Sequence, residues 1–200
     1  ESESRGLGDV YKRQTYFNEE STEVAGIDLD LSYSFPINKF GDFDIRIVGT
    51  NLIKFSTPLV ESGVSKMQNR VGRFNYDSHM HSLPRNRINL FFGINGKNFR
   101  HQLNTRYIDS YKNTRAITGL GLTYGYKNKV DSFGVHDYCL KNSETFTPDF
   151  FNGKLNFGFC IININDESAP QLYDAPDFSF DTRVHDPRGR MFSINFNLEL

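Results

Sequence analysis

The sequence has no tryptophan, three methionines and two cysteines. It also lacks any apolar run near the ~18 residues that a membrane-spanning helix needs. With a mean hydropathy of −0.52, a helical membrane protein is excluded, while crossing by strands stays open. Cys139 and Cys160 are too few for a disulfide framework and lack metal-site spacing. Neither sign of charge dominates: 23 Lys and Arg stand against 24 Asp and Glu, a net −1, so nothing recommends nucleic acid as a partner. The first residues carry no apolar core of a signal peptide, and Glu1 is not a natural start, so the chain reads as a fragment. Phe 19, Tyr 10 and Gly 16 describe strand formers and turn residues, and an all-β fold is expected.

Period two is the main signal. Ala25, Ile27, Leu29, Leu31, Tyr33 and Phe35 alternate with Gly26, Asp28, Asp30, Ser32 and Ser34, which predicts a strand. After Pro36 to Gly41 the pattern resumes, with Phe43, Ile45, Ile47, Ile53 and Phe55 against Asp44, Arg46, Thr50 and Lys54, which makes a hairpin. A polar gap from Ser56 to Pro84 precedes a third strand in which Ile88, Leu90, Phe92 and Ile94 alternate with Arg87, Asn89, Gly93 and Asn95. Gly96-Lys97 then reads as a type II′ connection into Phe99, His101, Leu103, Thr105 and Tyr107. That two-residue loop predicts Ile94 opposite Phe99 and Leu90 opposite Leu103, with Gly93 opposite Arg100 and Asn89 opposite Asn104. A fifth strand near Ser132 to Glu144 and a sixth near Gly153 to Asn165 are joined by a short link containing Pro148. Met191 to Leu200 form a seventh, with Phe192, Ile194, Phe196, Leu198 and Leu200 on one face. The segment 113–130, with Leu120, Leu122, Tyr124 and Tyr126, is read as extending a hairpin beyond the main sheet.

Connections run short, long, short, long, short, long. Strands crossing a bilayer need tight turns on one side, while loops on the other side can grow and bind. Strands of ten to thirteen residues exceed the usual ~5–6 of globular sheets and match the ~9–11 of tilted spanning strands. Tyr33, Phe35 and Phe43 gather at one predicted end and Phe55, Tyr107 and Phe192 at the other, as in two aromatic girdles. A soluble sandwich would turn the same apolar face inward, so alternation alone does not separate the two architectures.

Ser4 to Gln14 resemble a tail that recurs on unrelated translated environmental sequences, in the manner of adapter read-through. Residues 1–14 are therefore set aside from fold reasoning, and 15–200 are treated as one barrel portion. Within it, Asn163-Ile164-Asn165-Asp166-Glu167-Ser168-Ala169-Pro170 resembles the Asn-Leu-Phe-Asp-Glu-x-Pro-Pro segment that ends the penultimate strand of TonB-dependent outer-membrane receptors. His185-Asp186-Pro187-Arg188-Gly189-Arg190 with an alternating terminal strand is similar to their closing motif, and Thr22 to Tyr33 resembles a strand opening found further upstream. Members commonly end in an aromatic residue, where this chain has Leu200.

The resemblance implies the last seven or so strands of an antiparallel, up-and-down transmembrane β-barrel of about 22 strands in the outer membrane of a Gram-negative bacterium. It implies a receptor that imports a scarce nutrient, such as a siderophore, saccharide, cobalamin or peptide, with energy coupled through TonB. Its expected partners are membrane lipid, a small-molecule ligand, the barrel assembly machinery reading the terminal strand, and an N-terminal plug and TonB contact, neither of which this sequence includes. Ligand contacts are expected in the long loops Ser56 to Leu83, Ser110 to Asp131 and Asp166 to Arg190. A passive porin and a soluble β-sandwich binding or adhesion domain are the alternatives.

Other constellations are weaker. His79-x-His81 beside Tyr76 and Asp77 makes no metal site with two ligands one residue apart. Asp28, Asp30, Asp44, Arg46, Arg87, Arg100 and Arg106 share the polar face and are expected to pair across strands, as Asp30 with Arg46. Gly119-x-Gly121-x-x-x-Gly125 misses the dinucleotide spacing. Cys139 and Cys160 fall on adjacent strands of one hairpin, and two free thiols are the default expectation. No catalytic set can be placed on one surface, so neither an enzyme nor a cofactor is expected.

Overall fold

The computed structural model describes residues 21–37, 41–61, 64–74, 82–114, 125–143, 154–172 and 178–199. The tail 1–14, His79 and His81, Gly119 and Gly121, and Pro148 lie outside them. Within the described residues the chain is all-β. Its strands are β1 (Glu23–Pro36), β2 (Asp42–Glu61), β3 (Val64–Asn69), β4 (Arg73–Phe74), β5 (Asn86–Asn95), β6 (Phe99–Ile108), β7 (Tyr111–Asn113), β8 (Lys129–Val130), β9 (Phe133–Asn142), β10 (Lys154–Ile162) and β11 (Met191–Glu199).

The seven long strands follow one another in the order β1-β2-β5-β6-β9-β10-β11, every neighbouring pair antiparallel. This is the up-and-down order that the alternating segments predict. The described sheet is open, with β1 and β11 as its edges, and β3 continues beyond it as the return strand of the β2 hairpin.

Alternation within each strand becomes two continuous faces once the strands are in register. One row of paired residues runs Tyr33, Ile45, Phe92, Leu103, Tyr138, Ile161, Phe192 across all seven strands. The row carrying Ser34, Asp44, Gly93, Gln102, Cys139, Cys160 and Ser193 lies on the opposite face. The rows climb across the strands: Tyr33 stands three residues before the turn-side end Pro36, whereas Phe192 is the second residue of β11. Such stagger accompanies strands that tilt.

The apolar face is uncovered among the described residues. Ile27 is 61% exposed, Phe196 73% and Leu103 36%. At the turn-side end the aromatic side chains touch in series, Tyr33 to Phe35 at 5.6 Å between ring centroids, Phe35 to Phe43 at 5.1 Å and Phe43 to Phe92 at 6.4 Å. At the other end Phe159 stacks on Phe192 at 6.4 Å. Polar atoms on the apolar face satisfy one another: His101 Nδ1 lies 2.7 Å from the Tyr138 hydroxyl, and Thr105 Oγ1 lies 2.8 Å from His136 Nδ1.

Two expectations are corrected. The β5–β6 register is shifted by two residues, with Ile94 opposite His101 and Leu90 opposite Thr105. The last pair is Asn95 with Arg100, which leaves four residues in the loop, closed by Gly96 N–H donating to the Phe99 carbonyl at 3.0 Å. A type II′ turn would need Gly96 at positive φ, which it does not have. Because the shift is even, every side chain keeps its face. Gly41 is a true turn glycine, with φ 102° and the Asn95 carbonyl where a Cβ would sit. Within β2, a bulge sets Gly26 opposite Leu52 and Ala25 opposite Lys54, so Ile53 falls between paired residues.

The second correction concerns the thiols, which are not free. Cys139 and Cys160 are direct cross-strand partners, with Cα atoms 4.1 Å apart, and form a disulfide on the polar face. The bond closes a sequence separation of 21 residues and fixes the β9–β10 register. Reduction should raise the mass by about 2 Da, two hydrogens per bridge, and Cys160→Ser should lower stability by about 3 kcal/mol against denaturant, the loop-closure value for this separation. Free thiol titrated in the non-reduced protein would contradict the bridge.

Candidate functional site in the loop cap

Among the described residues the most fully buried apolar side chains, Leu172 and Val130, lie beyond the end of the main sheet, which itself buries Phe133 and Val135 of β9. Phe74, Tyr111, Val130 and Leu172 form the core cluster, with Val184 packed against it. They come from all three long connections predicted to carry ligand contacts: Phe74 from the first, Tyr111 and Val130 from the second, Leu172 and Val184 from the third. A separate sheet in the order β4-β7-β8 ties the first two together. β4 runs parallel to β7, Lys112 N–H donates to the Gly72 carbonyl at 2.9 Å, and Thr114 Oγ1 donates to the Phe74 carbonyl at 2.7 Å. β8 returns antiparallel to β7 outside the main sheet, whereas Leu120, Leu122 and Tyr124, on which the hairpin expected over 113–130 rests, lie outside the described residues. The third connection bridges Gln171 to Phe180 and places Leu172 in the cluster. Long, polar, irregular connections become one folded cap because each gives one or two apolar side chains that none could bury alone.

Inside the cap sits a buried polar group that sequence spacing does not reveal. Tyr111, 2% exposed, donates its hydroxyl proton to Asp181 Oδ2 at 2.7 Å, and Asp181 is itself 2% exposed. The Asp181 carboxylate also accepts from Arg183 N–H at 3.1 Å. Burial, reinforced by the neighbouring Asp181 charge, pushes the Tyr111 hydroxyl well above its ordinary range and keeps it a donor. His185 lies stacked on Tyr111, with ring centroids 6.0 Å apart and planes 6° from parallel, and Phe133 meets it edge-on at 5.3 Å.

The segment after β10 and the segment before β11, which carry the two motifs, meet at the foot of the cap and form a clamp. Asn163 follows β10 at φ 54°, accepts Glu167 N–H at 2.9 Å, and donates through Nδ2 to the carbonyls of Glu167 at 2.9 Å and Arg188 at 3.2 Å. Asp166 Oδ1 accepts Arg190 N–H at 2.7 Å, and a Cβ on residue 189 would come within 2.9 Å of that oxygen, which explains Gly189. Asn165 completes the joint to β9, donating to the Gly134 carbonyl at 2.9 Å and accepting His136 N–H at 3.3 Å. Arg188 lies across Asp186 with three guanidinium contacts of 2.7 to 3.1 Å, which hold that carboxyl down at about 2. The clamp supplies partners for backbone groups where β10 stops and β11 starts.

The charged residues expected on the polar face are there and largely paired. Arg46 grips Asp30 with contacts of 3.0 and 2.7 Å, Thr50 donates to Asp28 at 2.7 Å, Asn95 donates to Asp44, and Arg106 reaches Asp137 at 3.3 Å. Arg100 instead stands opposite Lys141. A concavity of about 530 Å³ on this face is lined by Asp44, Arg46, Phe91, Arg100 and Gln102 among others. Arg87, at the cap end of the face, acts on both Tyr111 and His185 through its charge. No group of three metal-ligating side chains occurs among the described residues.

Comparison with protein-family models, curated proteins and solved structures found no match to this chain.

Two substitutions test the cap and its clamp. Tyr111→Phe should cost about 1–3 kcal/mol, because it leaves the buried Asp181 carboxylate short of a donor, and the loss should appear as faster amide exchange in β7 and β8 while β5 and β6 keep their protection. Asn163→Ala should speed exchange of the Glu167 amide and of the residue 163 amide, which donates to Asp137 Oδ1 at 2.9 Å just after β10; unchanged protection there would show that the clamp contributes nothing.

Proposed function

We propose that the chain forms the C-terminal wall of a TonB-dependent receptor in the outer membrane of a Gram-negative bacterium, which takes up a scarce nutrient. The observation that carries this reading is the two-sided sheet. Seven antiparallel strands in sequence order present one predominantly apolar face, left open in a single layer and with its few polar side chains bonded to one another, and one polar face on which Arg46 pairs with Asp30 and Arg106 with Asp137. Exposed apolar area on this scale needs an apolar cover, and acyl chains supply one without a second layer of protein. A water-lined interior accounts for the opposite face. The open edges at β1 and β11 are then closed by further strands of the same barrel, since unpaired backbone groups do not persist in lipid.

Support of a second kind comes from the polarity of the connections. The turn-side ends of β1, β2, β5 and β6 meet in one row, Pro36, Asp42, Asn95 and Arg100, and the three long connections fold together at the other end. In the receptor reading those connections face outward and receive the ligand, and the polar face surrounds a plug whose movement, driven through TonB, passes the ligand inward. The disulfide fits a protein that matures outside the reducing cytosol.

Produced with its upstream portion in a Gram-negative host, the protein should sediment with outer membranes and resist extraction with alkaline carbonate. In planar bilayers it should hold no steady conductance, because a plug fills the lumen. Steady ohmic conductance would favour the passive porin, and recovery as a monomer in the detergent-free soluble fraction would end the membrane reading.

A further inference from the structure

The receptor reading counts His185 in the closing motif but gives its ring no task, and it is the one buried titratable side chain among the described residues whose polar atoms lack a hydrogen-bond partner. It is 4% exposed, and both ring nitrogens are buried with no hydrogen bond. The ring is nonetheless held in place: Tyr111 of β7 stacks on one face, Phe133 of β9 meets it edge-on, and the backbone N–H of His185 donates to the Asp181 carbonyl at 3.0 Å. Nitrogens buried in this way lose their hydration with nothing in return, whereas the same volume filled by an apolar ring would lose nothing. A histidine kept in such a place has a property that a phenylalanine lacks, which is that it can be charged near neutral pH.

We propose that His185 is an acid-sensitive latch on the loop cap: protonation of its imidazole unseats the surrounding segment from the β4-β7-β8 sheet and loosens the three long connections together. The groups that face the ring decide the direction. Asp181 favours the charged form of the ring twice, through its charge and through its backbone carbonyl, but its carboxylate oxygens are engaged by the Tyr111 hydroxyl and Arg183 N–H, and its carbonyl accepts the backbone N–H of His185. Arg87 of β5 opposes the charge, and Phe133 offers only a ring edge. On the ring's own segment, Asp186 is occupied by Arg188. Burial outweighs Asp181, so His185 in the closed cap titrates below the ordinary histidine value of 6.5.

The sign follows from linkage. The opened cap binds a proton more readily than the closed one, so closure is fully favourable above about pH 6.5 and weakens as pH falls through the window down to the depressed value. Each unit of that depression corresponds to about a tenfold change in the closing equilibrium. The latch depends on the geometry of the cap alone, so it stands or falls separately from the membrane reading.

Amide hydrogen exchange on the full-length gene product between pH 7.5 and 5.0, corrected for the intrinsic pH dependence, reads the latch directly. Protection at Tyr111–Asn113 and Lys129–Val130 should be lost progressively as the pH falls from about 6.5 toward 5, while β5 and β6 change less than about twofold. His185→Phe keeps the aromatic stack but cannot be charged, so its cap should hold its protection across the range, and His185→Gln serves the same purpose if the larger ring is not accommodated. Wild-type cap amides that keep their protection at pH 5 would overturn the latch, as would a neutral variant that loses protection as steeply as wild type.

Discussion

The constraint on which the rest depends is that each long strand must send alternate side chains to opposite faces, and that seven strands do so in step. Once Tyr33, Ile45, Phe92, Leu103, Tyr138, Ile161 and Phe192 share a row, the sheet cannot avoid having one greasy side and one wet side. The remaining contacts answer to that division. Arg46 finds Asp30 and Arg106 finds Asp137 because the polar residues have been gathered together. Cys139 meets Cys160 because both fall on the same face at the same level. A one-residue slip anywhere would exchange the faces beyond it, which is why an even shift at the Gly96 loop is tolerated and an odd one would not be.

The sheet therefore has faces but little interior, and the chain's true core is displaced to the cap. Short strands that would not be stable by themselves are held there by Leu172, Val130, Phe74 and Tyr111, and the clamp of Asn163 and Asp166 anchors the cap to the wall. The cap joins the three connections into one body, so that a change at His185 reaches all of them.

Much of this was legible in the sequence, for a definite reason. Six of the seven long strands stand within a few residues of where alternation placed them, since a two-residue period maintained over about ten residues is the mark of an extended strand with two unlike faces; β2 instead runs on to Glu61 and pairs there with β3, inside the stretch expected to be a polar gap. The Asp30–Arg46 pair was legible because both lie on the polar face of one predicted hairpin. The β5–β6 register was missed because Gly-Lys suits a two-residue turn in composition, while the backbone adopts a four-residue loop. The disulfide was missed because it depends on the register between β9 and β10, which alternation within each strand does not set. The cap was recognised only as loops: Tyr111 and Asp181 are 70 residues apart, their segments lack periodicity, and nothing in spacing pairs them. The Asn163 and Asp166 motif and the Arg188 to Arg190 motif were both visible, yet their contact was not, because it runs through backbone groups that a sequence does not display.

The most direct test of the two faces places a single environment-sensitive label at successive positions along β1 and β6, from Leu29 to Leu31 and from Leu103 to Thr105, in the full-length protein reconstituted into bilayers. Quenchers attached to acyl chains should reach Leu29, Leu31, Leu103 and Thr105, and water-soluble quenchers should reach Asp30 and Asn104, with the pattern inverting at each step along the strand. Acyl-chain quenching at neither set, or equally at both, would contradict the account.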